Sequence, residues 1–172
     1  MKDRIRRILS LILLAVTIAI LMCVGVGTFN LPSAAAAIQV LEESPDRILY
    51  QSRHKFQDNR GNAWQVVFFK RVEADESPSL NLRLVAFPGT ADFAHPQPLK
   101  IKTKTGKQFE AEDLFAEAAP TANVGQYNLE NILDRLPSFA SIDLVTTMKD
   151  DRTVALKIPS EVILEWQTIA GY

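Results

Sequence analysis

The sequence predicts an α+β domain, mainly antiparallel β, with about seven strands in a sheet that curls toward a barrel or sandwich. Two amphipathic helices cover the sheet, and a signal peptide precedes it. Three observations support this fold class: several runs alternate apolar and polar residues with the period of a β-strand, two later segments repeat apolar residues with the helical period, and the chain begins with a basic and then an apolar segment.

Residues 1–37 have the organisation of a signal peptide. Four of the first seven residues are basic, an uncharged apolar run over residues 8–26 follows, and residues 34–37 supply the small side chains that a signal peptidase requires. We therefore predict cleavage near residue 37 and export of a single domain, residues 38–172. The alternative is an uncleaved anchor, because the apolar run has about the length of a membrane-spanning helix.

The predicted mature domain is mildly acidic and has no cysteine. Residues 1–37 hold four of the 19 Lys and Arg, one of the 20 Asp and Glu and the single Cys, which leaves a net charge of −4 for residues 38–172. An acidic balance disfavours nucleic acid as a partner. Because no disulfide can form, we expect one hydrophobic core to stabilise the domain.

Three strands are predicted in the first half of the domain, after a loose leader over residues 38–46. Residues 48–56 alternate, so that even-numbered side chains share one face and odd-numbered side chains the other. Turn residues at 58–61 lead to residues 64–72, whose consecutive apolar residues indicate a central strand. Residues 80–87 alternate again and predict the third strand.

The second half contains two predicted hairpins. Residues 88–98 are too rich in proline for regular structure, and residues 99–111 then alternate around a Thr-Gly turn, with lysines that are typical of a sheet edge. We expect irregular chain over residues 112–127. A second hairpin is predicted from residues 142–148 and 153–158.

Two segments have the helical period. Asn128 is the expected N-cap of an amphipathic helix over residues 129–136, which Pro137 ends. The last helix is expected to begin near Ser160 and to carry its apolar side chains on one face.

Six residues are candidates for binding a partner, three from the proline-rich loop and three from the basic strand after it. They are Asp92, Phe93, His95, Lys100, Lys102 and Lys104. A loop that prolines hold in place can present an aromatic ring to another protein, although Phe93 could equally plug one end of the sheet. The lysines could contact anionic lipid headgroups or an acidic protein, but protection of a sheet edge also explains them.

A second group of cations lies on the first predicted hairpin. Its members are Arg53, Lys55, Lys70 and Arg71. Such a face could meet an anionic partner. Charged outer faces are usual for antiparallel sheets, so we interpret these residues as a solvated face.

The alternative candidate site is a ligand pocket inside the sheet. If the sheet curls around a small hydrophobic ligand, its lining is expected to be Tyr50, His54, Trp64 and Phe68.

No catalytic residue, metal site or cofactor is predicted. The chain has no Gly-x-Ser-x-Gly, Asp92 and His95 offer only two metal ligands, and the carboxylates have no matched partner for acid/base chemistry. We therefore expect a non-enzymatic protein, while a hydrolase would need a histidine beside a nucleophile and a carboxylate in space.

Several linked phrases resemble a known family. They are LYQSRHKFQDNRGNAWQVVFFKRV, LRLVAFPG, HPQPL, NVGQYNL and EWQT. They are similar to short secreted proteins of cyanobacteria catalogued as domain of unknown function 3122. The resemblance implies export to the thylakoid lumen or the periplasm, and it implies no catalytic residue, cofactor or substrate.

The leading functional hypothesis is an accessory or assembly protein that binds a membrane complex at its lumenal or periplasmic face. Its partner would be a protein in or on that complex, and contact with the membrane would involve only the N-terminal segment, if that is uncleaved. The alternative is a carrier of a small hydrophobic ligand.

Overall fold

The computed structural model describes residues 38–74 and 76–172, which form two antiparallel sheets and a C-terminal helix. The strands of the five-stranded sheet, numbered along the chain, are β1 (Gln39–Ser44), β2 (Arg47–Gln57), β3 (Ala63–Glu73), β4 (Ser79–Ala86) and β7 (Val124–Asn128). Those of the four-stranded sheet, in spatial order, are β6 (Gln108–Ala111), β5 (Leu99–Thr103), β8 (Ile142–Thr147) and β9 (Thr153–Ile158). The helix is α1 (Ser160–Gly171).

The prediction of a mainly antiparallel β fold is confirmed. The described residues form nine strands instead of about seven, and the strands lie in two sheets that share one hydrophobic core, without a closed barrel. The predicted signal peptide lies outside the described residues.

The prediction of two covering helices is wrong, because only α1 is present in the described part of the chain. In place of the predicted helix over residues 129–136, a single 3₁₀ turn spans Leu133–Arg135. Leu129, Leu133 and Leu136 are buried as the apolar stripe requires, and Asn128 Oδ1 accepts the Glu130 N–H at 2.8 Å. Three- and four-residue spacing fits a pair of tight turns as well as a helix, and Pro137 leaves too few residues for a stable helix.

Two segments that were expected to be irregular are strands. The leader contains β1, which pairs with β2 although all six of its residues are exposed. Residues 112–127 contain all but the last residue of β7, which pairs with β4. Backbone hydrogen bonds to a neighbouring strand hold both strands in place. A local apolar pattern does not predict such pairing.

The predicted central position of β3 is confirmed, since β2 and β4 flank it. Val66 and Phe68 on one face and Val67 and Phe69 on the other are all buried. A strand buried on both faces reads as a continuous apolar run, which is the pattern that the sequence shows.

Helix α1 covers the inner face of the five-stranded sheet. Its buried residues include Ile163, Trp166 and Ile169, and the Trp166 ring stacks on Phe68 at a centroid distance of 5.6 Å. Lys70 Nζ donates a hydrogen bond to the Ala170 carbonyl at 2.8 Å. The lysine thus points inward, where its charge faces the negative end of the helix dipole.

The turn between β2 and β3 is organised by one carboxylate. Asp58 accepts hydrogen bonds from the backbone N–H groups of Arg60 (2.8 Å) and Asn62 (2.9 Å) and from the indole N–H of Trp64 (3.2 Å). Gly61 follows with a φ of +82°, a conformation that glycine adopts without steric cost. Burial raises the pKa of Asp58, but these hydrogen bonds outweigh it and hold the pKa below its ordinary value.

We predict that Asp58→Asn lowers the free energy of unfolding at pH 7 by about 1–3 kcal/mol, because the new amide group turns a donor toward donors. The folded-state pKa of Asp58 is depressed, so its contribution is complete above the ordinary value of about 4 and is lost as the pH falls through the folded-state pKa. Urea denaturation should therefore show the difference from wild type narrowing below about pH 4.

Asp134→Asn is the matched control, since Asp134 is exposed, and it should leave the unfolding free energy unchanged at both pH values. A difference between Asp58→Asn and wild type that stays constant down to pH 2.5 would contradict the account of the turn.

Candidate functional site

The predicted docking ring, Phe93, lies in the core. It is 1% exposed and meets Trp64 of the five-stranded sheet edge-on at a centroid distance of 5.8 Å. An isolated β-bridge pairs it with Met148, the residue after β8 of the four-stranded sheet. Gly125 makes room for the ring, because a Cβ at that position would lie 2.8 Å from Phe93 Cε1. Phe93 therefore joins the two sheets from inside.

His95 connects the same loop to the segment after β6 through a hydrogen bond. Its Nδ1 donates to Asp113 Oδ2 at 2.6 Å, and Asp113 also accepts the N–H groups of Gln97 (3.2 Å) and Phe115 (2.9 Å). Asp92 is exposed, and its carbonyl accepts the Lys149 N–H at 2.9 Å. These contacts hold the loop in one position.

Three residues resemble the parts of a hydrolytic site without forming one. His54 Nε2 lies 3.0 Å from Glu165 Oε2, and Ser52 lies on the same inner face of β2. The serine is 0% exposed, so a substrate cannot reach its hydroxyl.

The predicted pocket residues share the inner face of β2 and β3, where the protein's own side chains cover them. Tyr50 stacks on Tyr172 of the C-terminus at 5.3 Å, and Phe68 is stacked by Trp166. Trp64 contacts Phe93, while His54 is bonded to the helix as described above. Helix α1 thus contacts Phe68 and His54 of this set.

The predicted lysine row lies on a surface of mixed charge. Lys100 and Lys102 are exposed on β5, where their neighbours across the strands include Glu110 and Asp143 respectively. Lys104 is exposed in the turn that follows. Alternating signs of this kind are usual on a solvated sheet face.

The outer face of the five-stranded sheet is different, and we call it the basic face. It comprises the odd-numbered residues of β1 to β4 with the residues of β7 that share their side, and none of the described elements covers it. Its charged members are Glu43, Arg47, Arg53, Lys55, Arg71, Glu73 and Arg83. Five cations against two carboxylates give it a net charge of +3, on a domain whose net charge is −4.

An arginine pair over an aromatic ring forms the centre of the basic face. The guanidinium carbons of Arg71 and Arg83 lie 5.8 and 5.4 Å from the centroid of Phe69, which is 4% exposed. Arg83 donates from Nε (3.0 Å) and Nη2 (2.6 Å) to Gln126 Oε1. Burial lowers the pKa of Arg83, and the nearby charge of Arg71 lowers it further.

The pair borders a shallow depression of about 210 Å³ on the basic face. Its lining combines arginines with apolar and amide side chains, including Leu49, Gln51, Gln65, Val67 and Val85. Guanidinium groups form bidentate hydrogen bonds with carboxylates and phosphates, and contact with an aromatic ring limits the movement of the guanidinium.

The sequence indicated only part of this face. The solvated group on the hairpin included Arg53, Lys55 and Arg71, but it also included Lys70, which points to the core, and it lacked Arg83. The sequence contains a signal for Arg83, since alternation along β4 places this residue on the face opposite the leucines of the strand. Register alone decides which cations meet across strands.

The comparisons with known proteins identify the family. A family model described as Protein of unknown function (DUF3122) matches residues 36–169, and the chain therefore belongs to this family. None of the curated proteins or solved structures compared with the chain matches it. Over the described ranges, no helix is long and apolar enough to cross a membrane.

We predict that Phe93→Ala lowers the free energy of unfolding by about 3–5 kcal/mol, because it leaves a cavity between the sheets. Phe87→Ala, in the same loop, is the matched control. Phe87 is 68% exposed, so its removal should change stability by no more than about 0.5 kcal/mol. Equal effects of the two changes in urea denaturation would contradict the structural role given to Phe93.

Proposed function

We propose that this member of the DUF3122 family is an exported, non-enzymatic accessory or assembly protein that docks on a membrane complex through the basic face. The partner is a protein that presents an acidic surface in the thylakoid lumen or the periplasm. The observation that carries the proposal is the segregation of charge, with +3 on one sheet face of a domain whose net charge is −4.

Charge of this kind orients a protein before it binds. The field of the basic face attracts an acidic surface, while the remaining, acidic surface of the domain repels it. An encounter between the two proteins therefore favours one orientation, in which the five-stranded sheet faces the partner.

The composition of the basic face also suits an interface. Arginine and aromatic residues are enriched at interfaces, and the stems of Arg71 and Arg83 extend an apolar surface around Phe69 and Val67. Burying this floor adds hydrophobic energy to the charge attraction. The charges of the lysine row on the other sheet alternate with carboxylates, so its attraction for an acidic surface is weaker.

Export is the second part of the proposal, and residues 1–37 support it. They combine a basic start, an apolar run and small residues in the order that a signal peptide requires. The resemblance to secreted cyanobacterial proteins supports the lumen or the periplasm as the destination.

A carrier function is less well supported. A hydrophobic ligand between β2 and β3 and the opposite sheet would have to displace α1, and with it the stacking of Trp166 on Phe68 and the bond between Lys70 and the helix C-terminus. The loss of such contacts costs several kcal/mol.

The test is sedimentation of the C-terminally tagged chain, expressed in its own host, on sucrose gradients at low salt. We predict that wild type sediments with a large membrane complex, whereas Arg53→Glu/Lys55→Glu sediments as a free protein, because both changes reverse exposed charges of the basic face. A salt concentration of about 0.5 M should release the wild type as well.

Lys100→Glu/Lys102→Glu is the matched control, since it makes the same change of charge on exposed residues of the other sheet. It should sediment with the complex. Free sedimentation of wild type at low salt would refute the proposal, and equal release of both double variants would show that docking does not use the basic face.

A further inference from the structure

We propose that Arg71 and Arg83 form a binding site for a carboxylate group of an acidic polypeptide, and that Glu43 of the chain itself occupies this site until the polypeptide displaces it. The inference rests on the proposed docking function and names the group that the basic face recognises.

A β-bulge directs Glu43 into the site. Glu42 pairs with Ile48 and Ser44 pairs with Arg47, so Glu43 is the extra residue of β1 and has no partner in the register with β2. A bulge re-aims the side chain at its position. Here it brings the Glu43 carboxylate to 3.4 Å from Arg71 Nε.

The contact between Glu43 and Arg71 is incomplete. The Nε atom of Arg71 is buried from solvent, yet among the described residues no acceptor is aligned with it as a hydrogen bond, Glu43 included. Both side chains remain about one third exposed, at 36% for Arg71 and 33% for Glu43. An exposed and poorly aligned ion pair contributes little energy, so an incoming carboxylate loses little by replacing it.

Arg83 completes the site on the other side of Phe69. Its hydrogen bonds to Gln126 and its contact with the Phe69 ring fix the guanidinium in place. The positive charge of Arg71 is close enough to disfavour the charged form of Arg83, and a carboxylate that binds beside them offsets this repulsion. A fixed guanidinium also loses little freedom when it binds.

The surroundings favour a polypeptide carboxylate over other anions. Glu43 shows that a glutamate side chain on an extended strand reaches Arg71. Leu49 and Val67 also line the depression, and these apolar side chains can contact the methylene groups of a glutamate side chain. A phosphate ion has no apolar part that could contact them.

The experiment measures binding of a fluorescent octaglutamate peptide to the full chain, purified in a mild nonionic detergent, by anisotropy at low salt. We predict that Glu43→Gln binds the peptide about 3- to 10-fold more tightly than wild type, because it removes the competing carboxylate. Arg71→Gln should bind it at least about tenfold more weakly. A gain in affinity cannot result from partial unfolding.

Glu73→Gln is the matched control. It removes the same charge from the same face, but Glu73 pairs with Arg47, at 2.8 Å, and not with the arginine pair. The affinity of Glu73→Gln for octaglutamate should lie within about twofold of that of wild type. Equal gains for Glu43→Gln and Glu73→Gln would overturn the proposal, because the effect would then come from net charge alone.

Inorganic phosphate and phosphatidylglycerol vesicles are the competing probes. Binding of either one that depends on Glu43 and Arg71, while octaglutamate does not bind, would overturn the assignment of the site to a polypeptide carboxylate.

Failure of this proposal is distinguishable from failure of the docking function. Sedimentation that depends on Arg53 and Lys55, with no effect of Glu43→Gln on peptide binding, leaves docking intact. Tighter peptide binding by Glu43→Gln, with no effect of Arg53→Glu/Lys55→Glu on sedimentation, leaves the carboxylate site intact.

Discussion

The packing of α1 against the inner face of the five-stranded sheet is the interaction on which the rest of the structure depends. Trp166 stacks on Phe68, and the helix end is held by Lys70. The helix and the second sheet share one hydrophobic core with the inner face of the five-stranded sheet. Groups that look chemically useful in the sequence, such as His54 and Ser52, consequently serve the interior. Exposed charged side chains such as Arg53 and Lys100 lie on the outer faces of the two sheets.

The two outer faces differ because their charged residues are arranged differently. On the four-stranded sheet, Lys100 and Lys102 have carboxylates on neighbouring strands, so the field of that surface largely cancels. On the five-stranded sheet, cations of β2, β3 and β4 lie on the same side, and the two carboxylates lie toward one end. The difference concerns placement and not composition, which is why the total charge of the domain conceals it.

The sequence predicts what local patterns determine. The period of β2, the continuous apolar run of β3 and the stripe of α1 were predicted correctly because each is encoded within its own segment. β7 was missed because its Gly125, which weakens a strand signal, is required by the distant ring of Phe93. The role of Phe93 and the meeting of Arg71 with Arg83 depend equally on contacts between segments, and only strand register supplies these.

The bulge at Glu43 lies between the edge of the sheet and the carboxylate site that we propose. An exposed edge strand invites unwanted pairing, and a bulge with a charged side chain is one way in which proteins discourage it. In β1 the same residue supplies Arg71 with a weak internal counter-ion. A cationic cluster left empty would repel itself and bind many anions without discrimination. In the site that we propose, a weak internal carboxylate reduces both effects, and a partner would need several well-placed acidic groups to displace it.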